Sequence, residues 1–489
     1  MTASGKAPAG VPVRPLAALV AGPLLFLALQ TLAPPAGMSA SAWTLLALMA
    51  WMVAWWVSEA LPLAATALLP VIVMPLGGIL PLAKVTESYG HPLIFLFLGG
   101  FMLAIAIEEA GLHRRIAIAI VSAIGTGPRT LTLGFMLATA FLSMWITNTA
   151  ATIMMVTVAL SVTDFLAARA APADAAQVRR FTVGLLLAVA YSASVGGMAT
   201  LIGSPVNALL ASTLAGEYGI RLEFVDWMLI GLPATLVMLA AIWLVLTRIL
   251  YRDAPPADAD LAGLIRTERA GLGPMRPAEW IVGAVFVLAA TGWILGDPIA
   301  DATGLPINDT TVAIAAAVLL FALPTNRTMR AFALDWEHAR RLPWNVLLLI
   351  GGGLAVAGAF RQTGLAGWIG GNVAGLDVPL VVMILLVTVL MIFLTEIMSN
   401  PASAATILPV AAATAVGLGH APLVLAAPAA LAANMSFMLP VATAPNAIVF
   451  AHPDVRIADM VRAGLIFNLV GIAVATLLVY AVLRPLHGW

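Results

Sequence analysis

Two things are nearly missing from this sequence. It contains no cysteine, and only 9% of its 489 residues are charged. Without thiols the chain can build neither a disulfide framework nor a thiolate metal site. Soluble domains carry roughly 25% charged residues. A chain with so few, and 62% hydrophobic, cannot hide its apolar surface from water and reads as an integral membrane protein in a lipid bilayer. The formal net charge is zero and no basic tract occurs, so no nucleic acid is expected as a partner. None of the six histidines falls in a polar constellation, and no nucleophile is accompanied by a base. An enzyme is therefore not expected.

What is present is a succession of apolar segments. The first, 15–33, exceeds the roughly 7–15-residue core of a secretory signal and leads into more membrane, so it reads as a retained span. Further spans are placed at 41–57, 61–80, 91–110, 181–197, 227–247, 279–296, 310–323, 343–360 and 463–483, with another starting near 421. Two longer apolar blocks, 130–166 and 378–416, contain polar interruptions: "WITNTAATIMM" (Trp145–Met155) and "TEIMSNPASAATILP" (Thr395–Pro409). The spans at 181–197 and after 421 are broken by "GGMATLIGSPVN" (Gly196–Asn207) and "LPVATAPN" (Leu439–Asn446). The charged, proline-containing piece Tyr251–Trp280 is the seam between two halves.

The halves repeat. "LFLGGFMLAIAIEEAGL" from Leu96 and "LLIGGGLAVAGAFRQTGL" from Leu348 share a glycine cluster, an apolar run and a closing Gly-Leu, with Gly99 and Gly111 spaced like Gly352 and Gly364. Each is followed by a hydroxyl-Asn pattern, Ser143-x3-Thr147-Asn148 and Thr395-x3-Ser399-Asn400, and then by a Pro/Asn break. An odd number of single crossings separates the repeats, so they are inverted, which is the signature of a secondary transporter. The positive-inside rule then leaves only Lys84, Arg221, Arg361 and Arg484 outside, of the 23 Lys and Arg residues. The N-terminus is expected in the cytoplasm and the C-terminus outside.

Non-helical backbone survives in hydrocarbon only against protein or a wet cavity. Asn and Thr are N-capping residues, and exposed half-helix N-termini offer N–H groups to an anion. Half-helix C-termini offer carbonyls which, with hydroxyls and amides, make all-oxygen sites for a hard cation. The polar stretches are thus expected to be ion-binding hairpin tips. A single hydroxyl in a membrane helix ordinarily back-bonds to its own i−4 carbonyl, and Ser143 or Thr152 alone would be read that way. Asn148 and Asn400 alone would be read as helix–helix glue. Glu59 and Glu396 are intramembrane acids; Glu59 lies beside a span end, suited to a solvated or capping role, and Glu396 adjoins the second tip. Glu108 and Glu109 read as solvated.

At these motifs, and from "SEALPLAATALLP" through the tips to "FMLPVATAPNAIVF", the chain resembles the divalent anion:sodium symporter family of dicarboxylate, citrate and sulfate carriers. The resemblance implies an all-α integral membrane protein with about 11 transmembrane helices plus two re-entrant hairpins in inverted repeats. It also implies a homodimer working as an elevator in the cell membrane. Scaffold segments 1–125 and 251–377 would alternate with transport segments 126–250 and 378–489. Carried over by position, one sodium site would use Ser143, Thr147, Asn148 and the backbone near Gly203. The other would use Thr395, Asn400 and the backbones near Met398 and Ala442. Substrate carboxylates would meet Asn148, Thr149, Ser204, Ser399, Asn400 and Thr443. Pro401 stands where the family usually has threonine. It suits the first turn of a half-helix but removes a hydroxyl and an N–H from the substrate side. The expected function is sodium-coupled uptake of C4-dicarboxylates such as succinate, malate or fumarate. A sodium-independent exchanger and a sulfate or citrate carrier are the alternatives on the same fold.

Overall fold

A computed structural model describes residues 16–252, 261–326, 328–373 and 378–487. Among these the regular structure is helical, with one isolated antiparallel bridge between Pro324 and Phe332. Nine of the described helices are long and apolar enough to cross a bilayer, and shorter apolar helices run over Leu16–Gln30, Asp309–Ala322 and Leu423–Ala433. The outer helices are apolar on both faces. In Leu380–Ile397, for example, Leu386, Leu390 and Ile397 are each more than half exposed, a surface suited to lipid and not to water.

At the centre lies Ala175–Gly197, buried along nearly its whole length. Its Tyr191 ring meets Phe437 and Phe467 edge-on, with centroids 5.2 and 5.5 Å away. The Ala-rich helix Leu423–Ala433, fully buried from Val424 onward, has side chains small enough to let neighbouring backbones approach closely.

The repeated glycines have repeated jobs. Gly99, in Pro92–Ala110, lies against the Ala313 backbone; Gly352, in Trp344–Thr363, lies against the Ala67 carbonyl. A side chain at either position would collide with that backbone. Gly111 and Gly364 end these two helices in the left-handed region, at φ +74° and +77°, where only glycine sits without strain. Each cap turns the chain straight into a further helix, Leu112–Ile124 or Leu365–Val373. The first packs on Pro128–Ser143 and the second on Asn400–Gly417, where Gly370 and Gly417 meet backbone to backbone.

The structure departs from the sequence reading in four places. The expected span at 61–80 is two short helices, Leu63–Thr66 and Leu69–Leu76, because Pro70, in the first turn of the second, withholds the N–H that would reach the Thr66 carbonyl in a continuous helix. Helix Leu112–Ile124, with His113–Arg115 in its first turn, was not among the expected spans. The seam between the halves is folded: helix Leu261–Gly271 packs on Leu112–Ile124. Arg115 holds this junction, donating to Glu279 at 3.1 and 3.2 Å and to the carbonyls of Leu272 and Gly273 at 3.2 and 3.0 Å. Glu109, read as solvated, pairs with His338 (3.0 Å) and Arg341.

Glu279 is 3% exposed, so removing Arg115 leaves a buried carboxylate with only Arg276, through its backbone N–H at 2.6 Å and its guanidinium at 3.8 Å. Arg115→Ala is expected to lower stability by about 1–3 kcal/mol, seen as a lower melting temperature in detergent. Arg114→Ala breaks only the half-exposed pair with Glu268 and should shift it by less than about 1 kcal/mol.

Candidate functional site

Both long apolar blocks are helical hairpins with their polar residues at the turn. The first runs Pro128–Ser143, turns, and returns as Asn148–Arg169. The second runs Leu380–Ile397 and returns as Asn400–Gly417. Thr147 is the N-cap of the first return helix, its hydroxyl accepting from the Ala150 N–H at 3.3 Å. Ser399 occupies the matching position without a side-chain cap bond, and Pro401 sits in the first turn, where its missing N–H costs no helical bond. At the first turn Trp145 packs edge-on against Phe286, 4.8 Å between centroids, and stacks on Phe224 and Trp293. This docks the tip against helix Pro277–Ile294.

Behind each tip lies the break of a second helix. Ala175–Gly197 resumes as Pro205–Thr213, and Leu423–Ala433 resumes as Ala444–Phe450. Ser204 and Thr443 cap the resumed halves, accepting from the Val206 and Asn446 N–H groups at 3.3 and 3.2 Å. An interruption leaves carbonyls without helical partners, and one asparagine per repeat supplies them. Asn207 Nδ2 donates to the Gly197 and Thr200 carbonyls at 3.0 and 2.7 Å. Asn446 Nδ2 donates to the Ser436 and Leu439 carbonyls at 3.1 and 3.0 Å. The sequence offsets are the same in both cases.

Tip and break meet in an oxygen cluster. In the first, the buried Ser143 hydroxyl donates to the Ala193 carbonyl at 2.7 Å and lies 2.6 Å from the Asn148 amide. The same amide terminus is 3.3 Å from the Ala193 and Gly203 carbonyls. As an amide nitrogen it donates to these oxygens; as an amide oxygen it completes an all-oxygen shell of the kind a hard cation takes. Gly203 is required: a Cβ there would strike the carbonyls of Gly197 and Ser143. In the second cluster Asn400 Oδ1 accepts from the Thr395 and Ser436 hydroxyls at 2.8 and 3.0 Å, and Thr395 Oγ1 lies 3.2 Å from the Ala433 carbonyl. Both clusters are neutral, which suits a monovalent ion. Met398 and Ala442 are buried beside the second tip and its break; their side chains bring no oxygen. Thr149, Ser399 and Thr443 remain partly or fully open, next to half-helix N-termini. Thr152 does back-bond to the Asn148 carbonyl, at 2.7 Å, whereas Ser143 does not back-bond.

The structure adds residues that sequence reasoning did not assign. The carbonyls of Ala193 and Ala433 carry no side-chain signature. Ser436 and Asn434 lie in "AANMSF", polar residues in an apolar run just before the second break, and that interruption could have singled them out. Glu396, noted only as a neighbour of the second tip, is the anchor of the second break. Its carboxylate accepts from the N–H groups of Phe437, Met438 and Leu439 at 2.8, 3.0 and 3.1 Å and from Asn468 Nδ2 at 2.7 Å. Glu59 is exposed, at a positive φ of 48°, and takes no part.

The family model described as the sodium:sulfate symporter transmembrane region matches residues 14–489. The sodium-dependent dicarboxylate transporter SdcS of Staphylococcus saprophyticus is 39% identical over 478 residues, 97% of this chain and 92% of that one. Its namesake from Staphylococcus aureus is 38% identical over the same shares. The fold is similar to the crystal structure of the Alcanivorax borkumensis YdaH transporter, with a TM-score of 0.52 and 16% identity over 92% of this chain and 99% of that one.

Glu396 faces four donors, and a carboxylate is an acceptor-only group that fits them. Glu396→Gln turns an amide NH2 toward those N–H groups. The substitution should destabilise the protein by about 1.5–3 kcal/mol, measured as a lower melting temperature in detergent and loss of the monodisperse peak on size exclusion.

Proposed function

The chain belongs to the sodium:sulfate symporter family of membrane transporters, and from that premise we propose that it imports small dicarboxylate anions coupled to sodium, with C4-dicarboxylates such as succinate, malate and fumarate as substrates. The observation that carries this reading is the pair of matched neutral oxygen clusters, Ser143–Asn148–Ala193–Gly203 and Thr395–Asn400–Ser436–Ala433, each directly behind a tip bearing open hydroxyls. The names of the SdcS relatives support the same substrate class.

In this reading the asparagines do double duty. Asn148 and Asn400 turn an amide oxygen toward sodium while their backbone N–H groups stay at the start of a half-helix, facing the anion. Two sodium ions offset the charge of a dianion and order the tips, so the anion binds well only after sodium. Thr149, Ser399 and Thr443 donate hydroxyl protons to the carboxylates, and Ser204 and Pro401 shape the same pocket. Thr147 and the backbones at Gly203, Met398 and Ala442 complete the sodium shells. The wider arrangement follows the family resemblance: a homodimer in the cell membrane, N-terminus cytoplasmic and C-terminus external. Segments 126–250 and 378–489 would move as a transport domain against the scaffold segments 1–125 and 251–377.

A second reading, a sulfate or citrate carrier, is favoured by Pro401, which withholds a hydroxyl and an N–H at the second tip. One lost hydrogen bond to a charged group is worth roughly 1.5–3 kcal/mol, enough to change which anion is preferred.

Uptake of labelled succinate into proteoliposomes, with an inward sodium gradient or with choline replacing sodium, tests the proposal. Accumulation only with sodium is expected. Sodium-independent uptake that requires internal succinate would make the protein an exchanger, and absence of uptake would shift the substrate to citrate or sulfate. Asn148→Ala and Asn400→Ala should each abolish uptake while the protein remains in the membrane; near-normal uptake by either would sink the site assignment.

A further inference from the structure

The hydrogen-bond polarity around Asn434 is fixed by backbone groups. Asn207 Nδ2 donates to two backbone carbonyls, Gly197 and Thr200, so its other terminal atom is the oxygen. That oxygen receives Asn434 Nδ2 at 3.2 Å, which also donates to the Ala430 carbonyl at 3.0 Å. The orientation of Asn434 is thereby set, and its Oδ1 is the atom 2.6 Å from Ser204 Oγ. A hydroxyl facing an amide oxygen must donate. The Ser204 proton is thus committed inside the protein, while its oxygen accepts from Val206 N–H. Asn207, Ser204 and Asn434 are all buried, at 0, 3 and 1% exposure.

The matched cap in the other repeat is wired differently. Thr443 accepts from the Asn446 N–H at 3.2 Å and is partly exposed, and among the described residues nothing accepts its proton. Asn446 Oδ1, the counterpart of the oxygen that holds Asn434, is buried without a partner. The residue as far before Asn207 as Asn434 is before Asn446 is Val195. The bridge therefore exists in one direction only.

We propose that Asn434 is a positioning residue that turns the Ser204 hydroxyl away from the transported anion. Of the two matched half-helix caps, only Thr443 then donates its hydroxyl proton to a substrate carboxylate. The dianion is received unequally at its two ends although the repeats that hold it are alike. This rests on the functional reading above and deepens it.

The test is succinate uptake kinetics in proteoliposomes at saturating sodium. Thr443→Val should raise KM about tenfold or more with little change in maximal rate, and Ser204→Ala, whose hydroxyl proton is already spent on Asn434, should raise it several-fold less. Equal rises from the two substitutions would overturn the proposal. A second measurement uses no substrate: melting temperatures of Asn434→Ala, Ser204→Ala, Thr443→Val and the two doubles with Asn434→Ala, in detergent. Asn434 and Ser204 should be strongly non-additive, and Asn434 and Thr443 additive. Additivity of Asn434 with Ser204 would also overturn it. If the unaltered protein takes up no succinate, the functional reading fails, and the melting cycle still decides whether Asn434 acts on Ser204.

Discussion

A helix interrupted inside hydrocarbon exposes N–H and C=O groups that lipid cannot satisfy, at several kcal/mol each. The rest of this structure is arranged around that constraint. At the first break the Val195 carbonyl receives Thr235, Met198 receives the Trp227 indole, and Gly197 and Thr200 receive Asn207. At the second, Asn446 covers two carbonyls and Glu396 gathers three N–H groups. With those groups settled from behind, the remaining oxygens of Ala193, Gly203 and Ala433 are left facing the tips. The clusters follow from where backbone polarity has been satisfied and where it has been left open.

Much of this was legible in the sequence, because Asn, Pro and hydroxyl residues in apolar runs are costly and conspicuous. The two hairpins and the two breaks were found by such interruptions, and the glycine pairs Gly99/Gly352 and Gly111/Gly364 by the likeness of the two repeats. What stayed hidden has physical reasons. Backbone carbonyls such as those of Ala193 and Ala433 have no letter of their own. Leu112–Ile124 was obscured because His113, Arg114 and Arg115 interrupt its apolar run, and 61–80 was apolar enough to hide the effect of its prolines. Asn434 and Glu396 sat in view, but their roles depend on partners far away in the chain.

The repeats share a plan and differ in their fastenings. Position 396 is Glu, and the matching position in the first repeat is Met144, which contributes only a carbonyl, to the Thr200 hydroxyl at 2.5 Å. Asn434 reaches across to Ser204 and Asn207, and among the described residues nothing equivalent returns. Duplicated geometry gives two similar oxygen clusters, and unmatched side chains make them different places for an ion or an anion to rest.

The Glu396 anchor also bears on how the protein is made. All of its partners, Phe437 to Leu439 and Asn468, come later in the chain, the last of them on helix Ile457–His487. While the ribosome is still synthesising that stretch, the second hairpin holds a carboxylate that hydrocarbon will not accept. The first hairpin has no acid at that position and finds its break partners by Asn207. The second hairpin therefore depends on the final helix for a partner to its acid, a dependence the first hairpin does not share.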